Sequence, residues 1–127
     1  MRETDDGKII ANFITAGGPA AQAGMAWGAE IISLDGDPTA DVVDLVVPWS
    51  SPFSNAEIKR LQQLRYATRF RLEKDQMSVI FKNPGGTEQT AVLKVVNEVD
   101  SFNASSFRAG EDPTALPVEV SILPSGY

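Results

Sequence analysis

The sequence contains no cysteine and no histidine. Without thiols there is no disulfide framework, no thiolate nucleophile and no thiolate metal site. Without imidazole the usual general base near neutral pH is missing, and so is every catalytic triad built on it. No apolar run approaches the roughly 20 residues that a membrane-spanning helix requires. The first eight residues are charged rather than arranged as a signal peptide. Basic residues are also in short supply. Eleven Lys and Arg stand against seventeen Asp and Glu, a net charge of -6 that repels phosphate backbones and anionic lipid surfaces. The acids Asp35, Asp37, Asp41 and Asp44 lack the alternating-ligand spacing and bidentate Glu of a calcium loop, so they read as a solvated rim. No cofactor, metal or nucleic-acid partner is expected.

What is present suits one folded domain. The 127 residues are 43% hydrophobic and 22% charged, close to the globular average and enough for one core. Residues 8–14, KIIANFI, carry apolar side chains on both alternating faces and read as a central strand. Pro19 followed by Ala20, Ala21, Gln22 and Ala23 reads as a short helix that starts at proline and stops at Gly24. Residues 30–34, EIISL, read as a second strand closed by the Asp35-Gly36 turn. Residues 41–47 fit either a helical turn or an edge strand.

A longer helix is expected over residues 56–66, capped by Ser54 or Asn55, with Ile58, Leu61 and Leu64 on its apolar side. The same reading places Lys59, Arg60, Gln63 and Arg65 on its wet side. Residues 77–82 alternate Met77, Val79 and Phe81 against Ser78, Ile80 and Lys82. A turn at 83–86 returns the chain into residues 88–96, which makes a hairpin. Beyond Glu98 the composition shifts to Ser, Asn, Ala, Gly, Asp and Pro, a linker over 99–117. Residues 118–123, VEVSIL, alternate again as a further strand.

The run GGPAAQAGMAWGAEIISLDGDP, residues 17–38, resembles the PDZ pattern in which Gly-Ser-Pro-Ala-x-x-Ala-Gly leads to Gly-Asp-x-Ile and an Asp-Gly turn. Gly18 stands where that pattern has Ser, and Ala29 where it has Asp. The helix IKRLQQLRYATRF, the hairpin VIFKNPGGTEQTAVLKVV and the ending VEVSILPSGY resemble the PDZ region of carboxy-terminal processing proteases, a Ser/Lys family. The resemblance implies an α+β fold, PDZ-like: a small, partly open β-barrel or sandwich with one short and one longer helix. It implies a PDZ-like domain over 1–98, a linker over 99–117 and the start of a protease domain over 118–127. No Gly-Leu-Gly-Phe type loop precedes Gly7, so the chain is expected to open inside the peptide-pairing strand.

By the same resemblance the function is peptide binding. The module recruits or gates the C-terminal tails of substrate proteins for a linked serine-type peptidase, whose nucleophilic Ser and general-base Lys lie outside this chain. The parent protein is then exported from the cytoplasm. The alternative is a stand-alone PDZ scaffold for protein-protein interaction. A PDZ groove lies between the peptide-pairing strand and the long helix, so a ligand adds one strand while the helix offers side-chain pockets. That makes Ile58, Leu61, Leu64 and Arg65 the candidate groove residues. The three apolar ones serve either a pocket or ordinary core contact, and Arg60 and Arg65 either steer a carboxylate or solvate the helix. Trp49 and Phe53, beside the helix, serve either as lid or interface aromatics or, the favoured reading, as simple packing. Lys8, Lys59, Lys74, Lys82 and Lys94 lie on charged, outward or loop stretches, where no burial would supply a neutral amine.

Overall fold

The alternation of Met77, Val79 and Phe81 produces strand β5, Gln76–Lys82, with those three side chains buried and their neighbours at least partly exposed. The chain turns through Asn83, Pro84 and Gly85, whose φ is +72°, into β6, Glu88–Lys94. The two strands pair antiparallel along their whole length, from Gln76 opposite Lys94 to Lys82 opposite Glu88. On its other side β5 pairs with β3, Glu30–Leu34, through a register shift between Ile31 and Ser33. This bulge lets Ser33 and Leu34 both turn inward.

The computed structural model describes residues 1–48, 52–69, 74–97 and 100. Strands β1 (Arg2–Glu3) and β2 (Ile9–Ile10) complete an antiparallel sheet in the order β1-β2-β3-β5-β6, with the short β4 (Asp37–Pro38) attached to β3. Three helices accompany it: α1 (Pro19–Gln22), α2 (Thr39–Asp44) and α3 (Ala56–Tyr66). The fold class is therefore α+β with an open antiparallel sheet, consistent with the PDZ-like expectation. Trp49, most of the 99–117 stretch and residues 118–127 lie outside the described residues.

Three local outcomes refine the sequence reading. Regular pairing in the first apolar stretch is confined to Ile9 and Ile10, shorter than residues 8–14. Ala11 still exchanges backbone hydrogen bonds with the Gly28-Ala29 turn, its N–H donating to Ala29 and its carbonyl accepting from Gly28, both at 2.8 Å. Residues 41–47, readable either as strand or as helix, start within a helix. Thr39 and Val43 are buried and Val42 and Val46 partly so, a spacing of three and four that one helical face satisfies. Helices therefore number three among the described residues, against the two expected.

The third outcome concerns α3, whose packed side is not the expected one. Gln63 is buried, and its Nε2 donates to the carbonyls of Asp44 (3.1 Å) and Val46 (3.2 Å) at the end of α2. Arg60 is partly buried between Glu3 (2.6 Å) and Asp44 (2.5 Å). Two residues assigned to the wet side thus face the body of the domain. Helix ends leave carbonyls without partners, and the amide of Gln63 satisfies that of Asp44 together with the Val46 carbonyl just beyond the helix.

The apolar interior has two parts. The larger gathers Ala11, Met25, Ala29, Ile31, Leu34, Met77, Val79 and Phe81 on one side of the sheet. The smaller joins Ile9, Val43, Leu64 and Ala67 beneath α2 and α3.

Candidate functional site

The end of α1 is shaped by backbone turns that few side chains tolerate. Gly24 has φ +78° and Gly28 φ +81°, and a Cβ on Gly28 would sit 3.5 Å from the Pro84 ring. The loop between them is tied to the β5-β6 hairpin by one side chain. The Asn83 Oδ1 accepts from the Ala26 N–H, and its Nδ2 donates to the Gly24 carbonyl, both at 2.8 Å. This fixes the corner of the sheet next to which the chain presents Phe13 and Trp27. Trp27 is 73% exposed, its indole N–H donating to the Asn12 carbonyl at 3.1 Å.

Helix α3 forms the opposite wall. Asn55 caps it by accepting from the Ile58 N–H at 2.8 Å, which sets where its first turn begins. Because Arg60, Gln63 and Leu64 take the packed side, Ile58 and Leu61 are left 41% and 59% exposed. They line a cleft of about 1330 Å³ between the helix and the sheet. Its floor is formed by side chains of the larger apolar cluster, among them Ala11, Ile31, Met77 and Val79. Phe13, Ile14 and Pro19 close one side, and Leu93 to Val96, at and beyond the end of β6, another.

Of the four candidate groove residues, Ile58, Leu61 and Arg65 meet on this wall. Leu64 is 2% exposed and packs into the smaller cluster instead. Phe53 is half-buried and is not among the residues lining the cleft. Phe13 and Met77 are cleft residues that periodicity alone does not mark, since each reads first as a strand side chain.

Edge geometry adds a second feature. Strand β1 ends the sheet and pairs only with β2 among the described residues. An outer sheet edge carries backbone donors and acceptors that a visiting extended segment can use. Arg60 spans from α3 to Glu3 on β1, so the helix and this edge are held at a set separation. The carboxylates of Glu3 and Asp44 flank the guanidinium, and the Glu3 hydrogen bond contributes most to holding the charge on Arg60 above its already high range.

Charge near the cleft is fixed elsewhere by short local networks. Asp35, at φ +54° in the β3-β4 turn, accepts from Lys74 and from the Ser78 N–H (2.9 Å). The Lys74 contact, more than the backbone donor, lowers the Asp35 carboxyl below its ordinary value. The Met1 amino group beside the cleft is lowered by burial first and by the Arg69 guanidinium second.

No protein-family model matches this sequence, and no curated protein does. Two solved structures match in fold. Mature CPAF complexed with lactacystin aligns with a TM-score of 0.56 at 19% identity, and mature CPAF with 0.53 at 19%. Each alignment covers 87% of this chain and 22% of the CPAF chain, so this chain spans about a fifth of the protein it matches. CPAF is a chlamydial serine protease with a PDZ-like region. What this chain shares with it is the fold of one part: an open antiparallel sheet, three helices and the PDZ-like α+β class.

Proposed function

We propose that this chain is a peptide-binding PDZ module that recruits or gates C-terminal tails of substrate proteins for a serine-type peptidase. The peptidase core lies outside these 127 residues, in a parent protein that works outside the cytoplasm. The observation that carries the proposal is the cleft itself. An exposed apolar helix wall, Ile58 and Leu61, faces a floor of core side chains beside the outer edge of β1, which pairs with no further strand among the described residues.

An extended peptide adds to such an edge as one more strand, and its alternate side chains then point toward the helix. In this reading Ile58 and Leu61 receive an apolar side chain, and Arg65 stands at the cleft as the cation for a carboxylate. The fold match to part of a serine protease supports placing the module beside a protease core.

The test is a two-dimensional amide NMR titration with a short peptide ending in apolar residues. Shifts are expected at Arg2, Glu3, Ile58, Leu61 and Arg65. Shifts confined to the outer face of β6 or to the surface around Trp27 would overturn the assignment.

A further inference from the structure

Strand β6 is one end of the sheet, and its outer side pairs with no further strand among the described residues. On its inner side β5 holds it in continuous register over all seven residues, with no bulge. That ladder fixes which backbone groups face outward. Val95, just past β6, continues the register opposite Asp75 and donates its N–H to the Asp75 carbonyl at 2.7 Å. Along an antiparallel strand the bonding side alternates from residue to residue. Gln89, Ala91 and Leu93 therefore turn their N–H and carbonyl groups to β5, and Glu88, Thr90, Val92 and Lys94 turn theirs to the open edge. The same alternation sends the Ser78 carbonyl to the far side of β5, where it accepts from the Asp35 N–H at 2.8 Å. The side chains of Glu88, Thr90, Val92 and Lys94 are all exposed, Val92 at 63%.

Natural sheet edges are blunted by shortness, by proline, by bulges or by a charge pointing inward. β1, at the other end of the sheet, has two residues. β6 has seven, without Pro or Gly, and its two charges stand at opposite ends with opposite signs. We propose that the β6 edge pairs with the β6 edge of a second copy of this chain, antiparallel about a two-fold axis at Ala91. That register sets Glu88 opposite the second copy's Lys94, Thr90 opposite its Val92 and Gln89 opposite its Leu93. It engages the whole strand and brings the outward backbone groups of the two copies face to face. A slip of one residue would set those groups against ones already bonded to β5, and a slip of two would separate the charges. Parallel pairing would put Glu88 beside Glu88 and Lys94 beside Lys94. Opposite charges directly across a strand pair stabilise it, and like charges do the reverse. Within its own chain Glu88 already stands opposite Lys82. The dimer extends this into a row of alternating sign: Lys82, Glu88 and the second copy's Lys94.

The test is analytical sedimentation of the full chain over a concentration series, read beside residue-resolved amide hydrogen exchange. A reversible dimer is expected, with exchange at Thr90 and Val92 slowing as concentration rises. Ala91 and Leu93, bonded to β5, exchange slowly throughout. Val92→Pro removes an outward N–H and leaves the β5 ladder intact, so the dimer loses two edge hydrogen bonds and weakens about tenfold. Glu88→Lys and Lys94→Glu each bring like charges together at both ends of the pairing, and each weakens dimerisation several-fold. Mixed in equal amounts, these two variants regain it as a mixed dimer, because each supplies the sign that the other lacks. Circular dichroism confirms that all three variants remain folded.

Undiminished dimerisation of Val92→Pro, or no recovery when the charge variants are mixed, overturns the proposal, since the copies then meet elsewhere or in another register. A monomer at every concentration overturns it too. If the Thr90 and Val92 amides of that monomer are protected at all concentrations, the edge is taken by another stretch of the same chain, such as residues 118–123. The peptide-binding reading stands or falls separately, on the amides of Arg2, Glu3, Ile58, Leu61 and Arg65.

Discussion

The sheet side and the helix side of this domain are held together by different chemistry. Around β3, β5 and β6 the contacts are apolar and closely packed, with Phe81 fully buried at the centre of a continuous cluster. Around α3 the apolar cluster has four buried residues, with Met1 and Val46 partly buried against them, and much of the attachment is polar. Arg60 bridges two carboxylates from β1 and α2, and Gln63 answers two carbonyls at the end of α2. By attaching through polar groups, the helix frees Ile58 and Leu61 to face the cleft. A helix docked only by its apolar residues would have spent them on the core.

The difference can be probed by substitution, and the largest effect belongs to the sheet. Phe81→Ala removes a wholly buried ring and is expected to cost about 3–5 kcal/mol in urea unfolding, enough to threaten folding outright. On the helix side Gln63→Ala leaves two carbonyls without their donor and is expected to cost about 1–3 kcal/mol. An equal cost for the two would erase the contrast. A third substitution tests the network behind the cleft. The Asp35 carboxyl is lowered in the folded state, chiefly by Lys74, so its contribution is present above the unfolded carboxyl range and is lost as pH falls through the folded value. Asp35→Asn should therefore reduce stability near pH 7 and make thermal unfolding less sensitive to pH below about 4. The smallest stability effect is expected at the cleft. Leu61→Ser, at an exposed position, should shift stability by less than about 0.5 kcal/mol while weakening peptide binding. A large loss of stability there would mean that Leu61 serves the core.

The same contrast explains what could be read from the amino-acid order alone. Residues 77–82 and 88–94 alternate with period two, and the structure places strands there because one face meets the apolar cluster. Gly24, Gly28 and Asp35-Gly36 mark turns through a local backbone requirement, and each adopts positive φ. The span of α3 was equally legible from its cap and spacing, but its orientation was not. Arg60 and Gln63 look like solvent residues in sequence. Their partners, Glu3, Asp44 and Val46, are distant or belong to a helix whose existence was itself undecided. The site followed suit: Ile58, Leu61 and Arg65 were visible as one helix side, whereas the floor residues and Phe13 depend on how the sheet closes beneath them.

Asn83 carries one further implication, for the order of assembly. It secures Gly24 and Ala26 across separations of 59 and 57 residues, so the tight corner after α1 cannot be locked until the distant hairpin turn has arrived. Contacts of such range slow the search for the native state. As synthesis proceeds, that corner waits for most of the domain to emerge before its backbone groups find their final partners.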